Sequence, residues 1–363
     1  MIQTLALLNA AYRELNARKL FWVTMGLSLL IVAAFAAVGI NSTGLTILWW
    51  EFELEFVNTN FFPREVFYKF LFANFGIGFW LTWLASILAL ISTASIVPDM
   101  VTGGSIDILL SKPIGRTRLF LTRYFTGLLF VTVQVSVFTI ASFLLVGIRG
   151  GAWEPWLLLA IPLVVVFFSY LYCVCALIGL LTRSTIVSLL VTMLFWLAIF
   201  GIHSGEEITL AGKIAYRIDL EQVEVDLDEA VEMGDPIEVT EPLQEVVDAT
   251  LGSYQTWSTT HAWFYWSKTL LPKTTETIDL LERTLQTRAG LDAIGPPEGS
   301  GRRRGPRSGN MFGTTSRIPQ REIERQQQAE NDTRSVTWII GTSLLFEFLI
   351  LAFCCWRFSR RDF

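Results

Sequence analysis

Residues Pro155 to Thr182 read PWLLLAIPLVVVFFSYLYCVCALIGLLT, without a single Asp, Glu, Lys or Arg. A helix at the surface of a water-soluble domain needs a polar face at the 3.6-residue period, and this stretch has none. A hydrocarbon core about 30 Å thick takes about 20 apolar residues in helix, because no water there can satisfy the backbone. The stretch therefore reads as a membrane span.

Five more runs of the same kind lie on either side of it: Leu20 to Ile40, Phe70 to Val97, Tyr124 to Ile148, Ser184 to Gly205 and Ser335 to Trp356. Across all six, the only ionisable Asp, Glu, Lys or Arg is Glu347. The whole composition agrees, with 52% apolar and only 17% charged residues. The first run, with its 19-residue lead, exceeds the usual dimensions of a signal peptide and is read as a permanent span. The expectation is an all-α polytopic membrane protein of six transmembrane helices. It divides into residues 1–205 (an interfacial helix and five spans), an extracytoplasmic insert over 206–334, and 335–363 (the sixth span and a basic tail).

Lys and Arg in short flanks resist crossing the membrane and so set orientation. With the N-terminus inside, the inner segments hold Arg13, Arg18, Lys19, Lys112, Arg116, Arg118, Arg123, Arg183, Arg357, Arg360 and Arg361, against Arg64, Lys69 and Arg149 outside. This places both termini in the cytoplasm, and the chain in a cytoplasmic (inner) membrane.

Outside the spans, MIQTLALLNAAYRELNARK at residues 1 to 19 sets Leu5, Leu8, Tyr12 and Leu15 on one helical face, as suits a helix lying in the inner interface. Trp50 to Phe56 alternate aromatic or Leu with Glu, the period of a strand. Its partner is expected in the strand-like part of AYRIDLEQVEVDLDEAVEM within the insert. That insert carries 14 Lys or Arg against 23 Asp or Glu, a net −9, which leaves +4 for the rest of the chain. Trp263 to Trp266 read as an interfacial piece followed by a helix interrupted at Pro272. From Gly290 to about Thr333 a flexible linker is expected, rich in Gly, Pro, Arg, Gln and Ser. Its Arg302 to Arg307 cluster lacks the aromatic residues that would stack bases, so no nucleic acid partner is assigned.

The four cysteines, Cys173, Cys175, Cys354 and Cys355, all fall inside apolar runs and read as small packing residues. The two histidines, His203 and His261, show no zinc-ligand spacing, and no metal is assigned. An intramembrane enzyme would need paired catalytic groups at membrane depth. The sequence offers Glu347 alone there, and His203 with Glu206 and Glu207 at a membrane edge. A scaffold anchoring the insert for an envelope or secretion complex is the alternative function.

Between the second and third spans lies DMVTGGSIDILLSKPIGRTRLFLTRYF, Asp99 to Phe125. Gly103 and Gly104 permit a sharp bend, and Ser105 can cap a short helix bearing Ile106, Leu109 and Leu110 on one side. Pro113 and Gly115 stop it, and Lys112, Arg116, Arg118 and Arg123 flank it. Such a knob at the inner surface is either a docking element or a plain basic turn.

The run resembles the cytoplasmic connection of permease subunits of type 2 ATP-binding-cassette (ABC) transporters. That family commonly shows an acidic residue, a Gly with a small hydroxyl residue, a leucine pair, Ser-x-Pro-(Ile/Val)-(Ser)-Arg and a basic residue at the next span. Here these are matched by Asp99, Gly104-Ser105, Leu109-Leu110, Ser111 to Arg116 and Arg123. Gly115 stands where Ser is frequent, and the acidic residue is Asp, five residues before Gly104. The six spans, N-terminal helix and basic tail resemble the family layout as well.

The resemblance implies an exporter's transport subunit rather than an enzyme. An ABC ATPase subunit would grip the connection, and a second permease chain would complete a homodimer or heterodimer in the lipid bilayer. This chain has no GxxxxGK[ST] phosphate loop, so ATP and Mg would be bound by the partner ATPase. The ATPase-coupling residues would be Asp99, Gly104, Ser105, Ile106, Leu109, Leu110, Pro113, Arg116 and Arg118. Glu347 is costly in lipid and marks either a translocation surface or a hydrogen-bonded packing site.

Overall fold

A computed structural model describes residues 19–53, 59, 63–101, 115–289, 312–314 and 318–360. Six helical segments in it are long and apolar enough to cross a membrane: Lys19–Ala37, Arg64–Val101, Arg116–Gly150, Pro155–Thr182, Thr185–Glu232 and Val336–Ser359. The expectation of a helical protein with six segments able to span a membrane is met. The interfacial helix expected at the N-terminus lies outside the described residues.

We label the helices α1 (Lys19–Ala37), α2 (Arg64–Leu71), α3 (Ser86–Thr93), α4 (Ile96–Val101), α5 (Arg116–Leu145), α6 (Ala160–Thr182), α7 (Thr185–Glu232), α8 (Ile237–Thr269), α9 (Thr274–Ala289), α10 (Gln320–Asp332) and α11 (Val336–Ser359). A π-helix, Phe72–Ala85, joins α2 to α3, and a 3₁₀ turn, Pro155–Leu159, leads into α6. The chain forms two compact units. One comprises Met1–Trp196, Thr274–Pro297 and Ser343–Phe363; the other comprises Leu197–Lys273 and Glu298–Thr342.

The first unit holds the main apolar core. Phe138 of α5 meets Phe72 and Trp80 of the π-helix at ring separations of 6.4 and 6.5 Å. Trp83 stacks on Trp196 at 4.9 Å, and Tyr124 on Tyr172 at 5.0 Å. Helices α6 and α7 are split by Arg183, which adopts a left-handed conformation (φ 54°) and returns its N–H to the Gly179 carbonyl at 3.0 Å. The Ser184 hydroxyl then accepts the Val187 N–H at 3.4 Å, a capping contact that starts α7.

Among the described residues the helical architecture is interrupted by one small antiparallel sheet: β1 (Val38–Ile40), β2 (Gly44–Ile47) and β3 (Trp50–Glu53), in that order. The strand character read at Trp50 is present, but its partner is β2, with Leu45 opposite Phe52 and Ile47 opposite Trp50. Leu48 at φ 55° and Trp49 form the two-residue turn between them. A neighbour in sequence closes a hairpin with little loop entropy, which the expected partner more than 150 residues away could not match. That expected partner is helical, within α7.

In the second unit α7 and α8 form an antiparallel hairpin about a turn at Gly234 (φ 73°) and Pro236. Two glycines of α7 let α8 come close: a Cβ at Gly205 would sit 2.5 Å from the Phe264 ring, and one at Gly212 would sit 2.5 Å from the Trp257 ring. Helix α10 packs on this hairpin through a small core of Leu210, Ile214, Ala215, Ile318 and Ile323. The flexible linker expected to run to Thr333 therefore gives way to a helix over Gln320–Asp332. Ile323 is its one large apolar residue and is buried, an anchor too sparse to show as a periodicity. The insert expected over 206–334 is also divided, since α9 clusters with the first unit.

Candidate functional site

Of the coupling residues named from sequence, Gly104, Ser105, Ile106, Leu109, Leu110 and Pro113 lie outside the described residues. The three that are described flank them. Asp99 is exposed near the end of α4, its N–H bonded to the Ser95 carbonyl at 2.8 Å. Arg116 opens α5 and donates from Nη1 to the Ser359 carbonyl at 3.2 Å, while Arg118, two residues on, is exposed. Phe120 packs its ring against Phe358 at 5.9 Å, and both are fully buried. The start of the third apolar helix and the end of the sixth are therefore fastened together.

Glu347 lies inside the first unit, 8% exposed. Its Oε1 accepts the Tyr124 hydroxyl at 2.8 Å, and its Oε2 accepts the Ser169 hydroxyl at 2.7 Å. Each hydroxyl also has a backbone acceptor: Tyr124 reaches the Ser169 carbonyl at 3.1 Å and Ser169 reaches the Val166 carbonyl at 2.8 Å. A carboxylate in an apolar bundle needs such partners, because an unsatisfied polar group there costs several kcal/mol (about 2–7).

A second polar cluster, in the other unit, was not assembled from sequence. Glu206 is fully buried, with its Oε2 2.5 Å from Lys268 Nζ and its Oε1 on Arg334 Nη2. His261 Nε2 is 3.6 Å from the same Oε1, and Lys268 Nζ lies 2.9 Å from His203 Nδ1. The adjacent Glu207 accepts from the side-chain amides of Gln327 and Asn331. His203 and Glu206 share a face of α7 three residues apart, but Lys268 and Arg334 come from α8 and the segment after α10. No local sequence pattern links them.

His203, Glu206 and Glu207 bring potential metal-ligating atoms within 4.8 Å of one another. The residues do not fit a cation there. Lys268 already lies against both Glu206 and His203, and Arg334 holds the remaining Glu206 oxygen. A divalent ion would have to displace a buried ammonium and guanidinium. The cluster reads as an internally neutralised structural clamp between α7, α8 and the chain after α10.

No protein-family model, curated protein or solved structure matches the chain.

Proposed function

We propose that this chain is the membrane-spanning permease subunit of an ABC exporter of the type 2 kind, in a cytoplasmic membrane with both termini inside. The observation that carries the reading is the run GSIDILLSKPIGR, Gly104 to Arg116, placed between the second and third of six apolar helical segments. The fastening of Arg116 to Ser359 supports it. It gives the exit of the connection a rigid footing on a second helix, as a lever arm requires if force on the connection is to reach the bundle.

The partner is a separate ATPase that binds ATP and Mg, and a second permease chain completes the unit. Ile106, Leu109 and Leu110 dock on the ATPase, Gly104 and Pro113 set the shape of the knob, and Asp99, Ser105, Arg116 and Arg118 make its polar contacts. The test is co-purification of the chain with its native ATPase, followed by ATP turnover of the complex. Leu109→Asp combined with Arg116→Glu is expected to abolish permease-stimulated turnover while the chain still inserts; unchanged stimulation overturns the docking claim. A cysteine at Ser111 that reacts only from the cell exterior overturns the orientation.

A further inference from the structure

The β-sheet that follows α1 has one polar end and one apolar end. The turn between β1 and β2 is Asn41-Ser42-Thr43, and the turn between β2 and β3 is Leu48-Trp49. The register sets Val38 opposite Ile47 and Ile47 opposite Trp50, so these residues share the apolar end, about 10 Å along the strands from the polar one. Trp49 is 87% exposed, Trp50 74% and Leu48 64%. Leu48 also holds a left-handed backbone (φ 55°) at the first of the two turn positions, where Gly, Asn or Asp is the usual residue. A turn facing water gains nothing from a large apolar side chain held in that conformation. The side chains themselves are therefore what the turn is built to present.

Bonds to α1 fix where this end lies. The Leu48 N–H donates to the Ala37 carbonyl at 2.8 Å, which brings the turn back to the last residue of α1. Nineteen residues rising 1.5 Å each make α1 about 28 Å long, the thickness of the hydrocarbon core, so a crossing α1 has Ala37 at one edge of that core. Polar groups gather at the same height: the Arg149 guanidinium donates to the Ala36 carbonyl, and the Tyr68 hydroxyl to the Val38 carbonyl at 2.9 Å. Trp153, four residues past Arg149, is exposed as well, with its ring against Gly147. Tryptophan is enriched at membrane–water interfaces, where an indole keeps its ring in apolar surroundings and its N–H near water. Leu30, Ala33 and Ala34 are exposed on one face of α1 and carry the apolar surface up to this edge.

We propose that the Leu48-Trp49 turn, with Ile47 and Trp50, is an anchor seated in the boundary between headgroups and acyl chains beside α1. Its occupant is phospholipid, because the apolar end is continuous with the exposed face of α1, whereas a water-borne partner would meet the polar Ser42 end first. Glu51 and Glu53 are the charges of the sheet, and alternation along β3 sends them to the face opposite Trp50 and Phe52. They offer an anionic headgroup nothing to pair with, so neutral phospholipid suffices. The anchor holds whichever side contains the N-terminus and whether or not the chain transports.

The test compares the two ends of the sheet. Trp49→Cys and, separately, Ser42→Cys are made in the full chain, labelled with bimane and reconstituted in phosphatidylcholine nanodiscs, which are open to solvent on both faces. The unsubstituted chain, treated alike, supplies the background from its own four cysteines. Each label is quenched by phosphatidylcholine bearing a nitroxide near the top of its acyl chain, and by aqueous iodide. The ratio of lipid to iodide quenching is expected to be at least about threefold higher at Trp49→Cys than at Ser42→Cys, since the two ends lie about 10 Å apart. Trp50→Cys repeats the measurement in case Trp49→Cys fails to fold. A smaller difference overturns the proposal. So does a label at the apolar end that neither quencher reaches, which would mean that protein covers the turn.

Discussion

Tyr124 on α5 donates its hydroxyl to Glu347 on α11 at 2.8 Å, a bond between residues 223 positions apart in a bundle of apolar helices. It makes Glu347 a tie between α5, α6 and α11, since Ser169 holds the other oxygen. Tyr124→Phe leaves one buried carboxyl oxygen without its donor and should cost about 1–3 kcal/mol. Glu347→Gln should cost less, because the Tyr124 and Ser169 hydroxyls can turn to their backbone acceptors and leave room for the amide. Thermal unfolding of the purified protein in detergent ranks the two. A Gln variant less stable than the Phe variant would contradict this account of the site.

The Glu206 clamp should be far more sensitive. Glu206→Gln leaves Lys268 and Arg334, with side chains only 5% and 11% exposed, without their countercharge, at an expected cost of about 3–5 kcal/mol. Protease resistance of the α7–α8 hairpin is the direct measurement. In a double-mutant cycle with Lys268→Met the two changes should couple by about 1–3 kcal/mol. Additive effects would mean that the pair does not interact.

Lys69 gives a graded comparison. Its ammonium is buried and paired with Glu65 and with Glu154 at 2.9 Å, but those carboxylates are 46% and 22% exposed. They can rehydrate when Lys69→Met removes the cation, so the loss should stay below that of Glu206→Gln. An equal or larger loss would show that exposure does not govern the cost here.

The seam between α7 and α8 depends on two glycines. Gly205→Leu and Gly212→Leu each drive a side chain into an aromatic ring whose nearest atom is 2.5 Å from the Cβ position, and should cost about 1–3 kcal/mol or splay the hairpin. Gly201→Ala, with nothing within 4 Å of its Cβ, should be tolerated. Circular dichroism and thermal midpoints of the three variants decide the point, and equal effects at Gly201 and Gly205 would refute the close approach.

The two halves of the problem differ in how far hydropathy reaches. Pro155 to Thr182 and its five counterparts announce themselves because a lipid solvent leaves the backbone only intramolecular partners, and an apolar run of that length then has one stable form. Six spans and their approximate limits follow from composition alone, as does the isolation of Glu347 among uncharged residues. In the insert that constraint is gone. There AYRIDLEQVEVDLDEAVEM scanned as a strand because its Val and Leu alternate with acids, whereas continuity with the preceding span carries α7 on to Glu232. Gln320–Asp332 scanned as linker because a single buried Ile anchors it.

What only the tertiary structure decided is which distant polar groups meet. Tyr124 and Ser169 could not be paired with Glu347, nor Lys268 and Arg334 with Glu206, from any spacing in the chain. Burial is an average property that each residue carries in its own chemistry, while hydrogen-bond partnership depends on how helices turn and stack against one another. The sequence therefore determined which six stretches are long and apolar enough to cross a membrane. The fold alone determined how its few buried charges are answered.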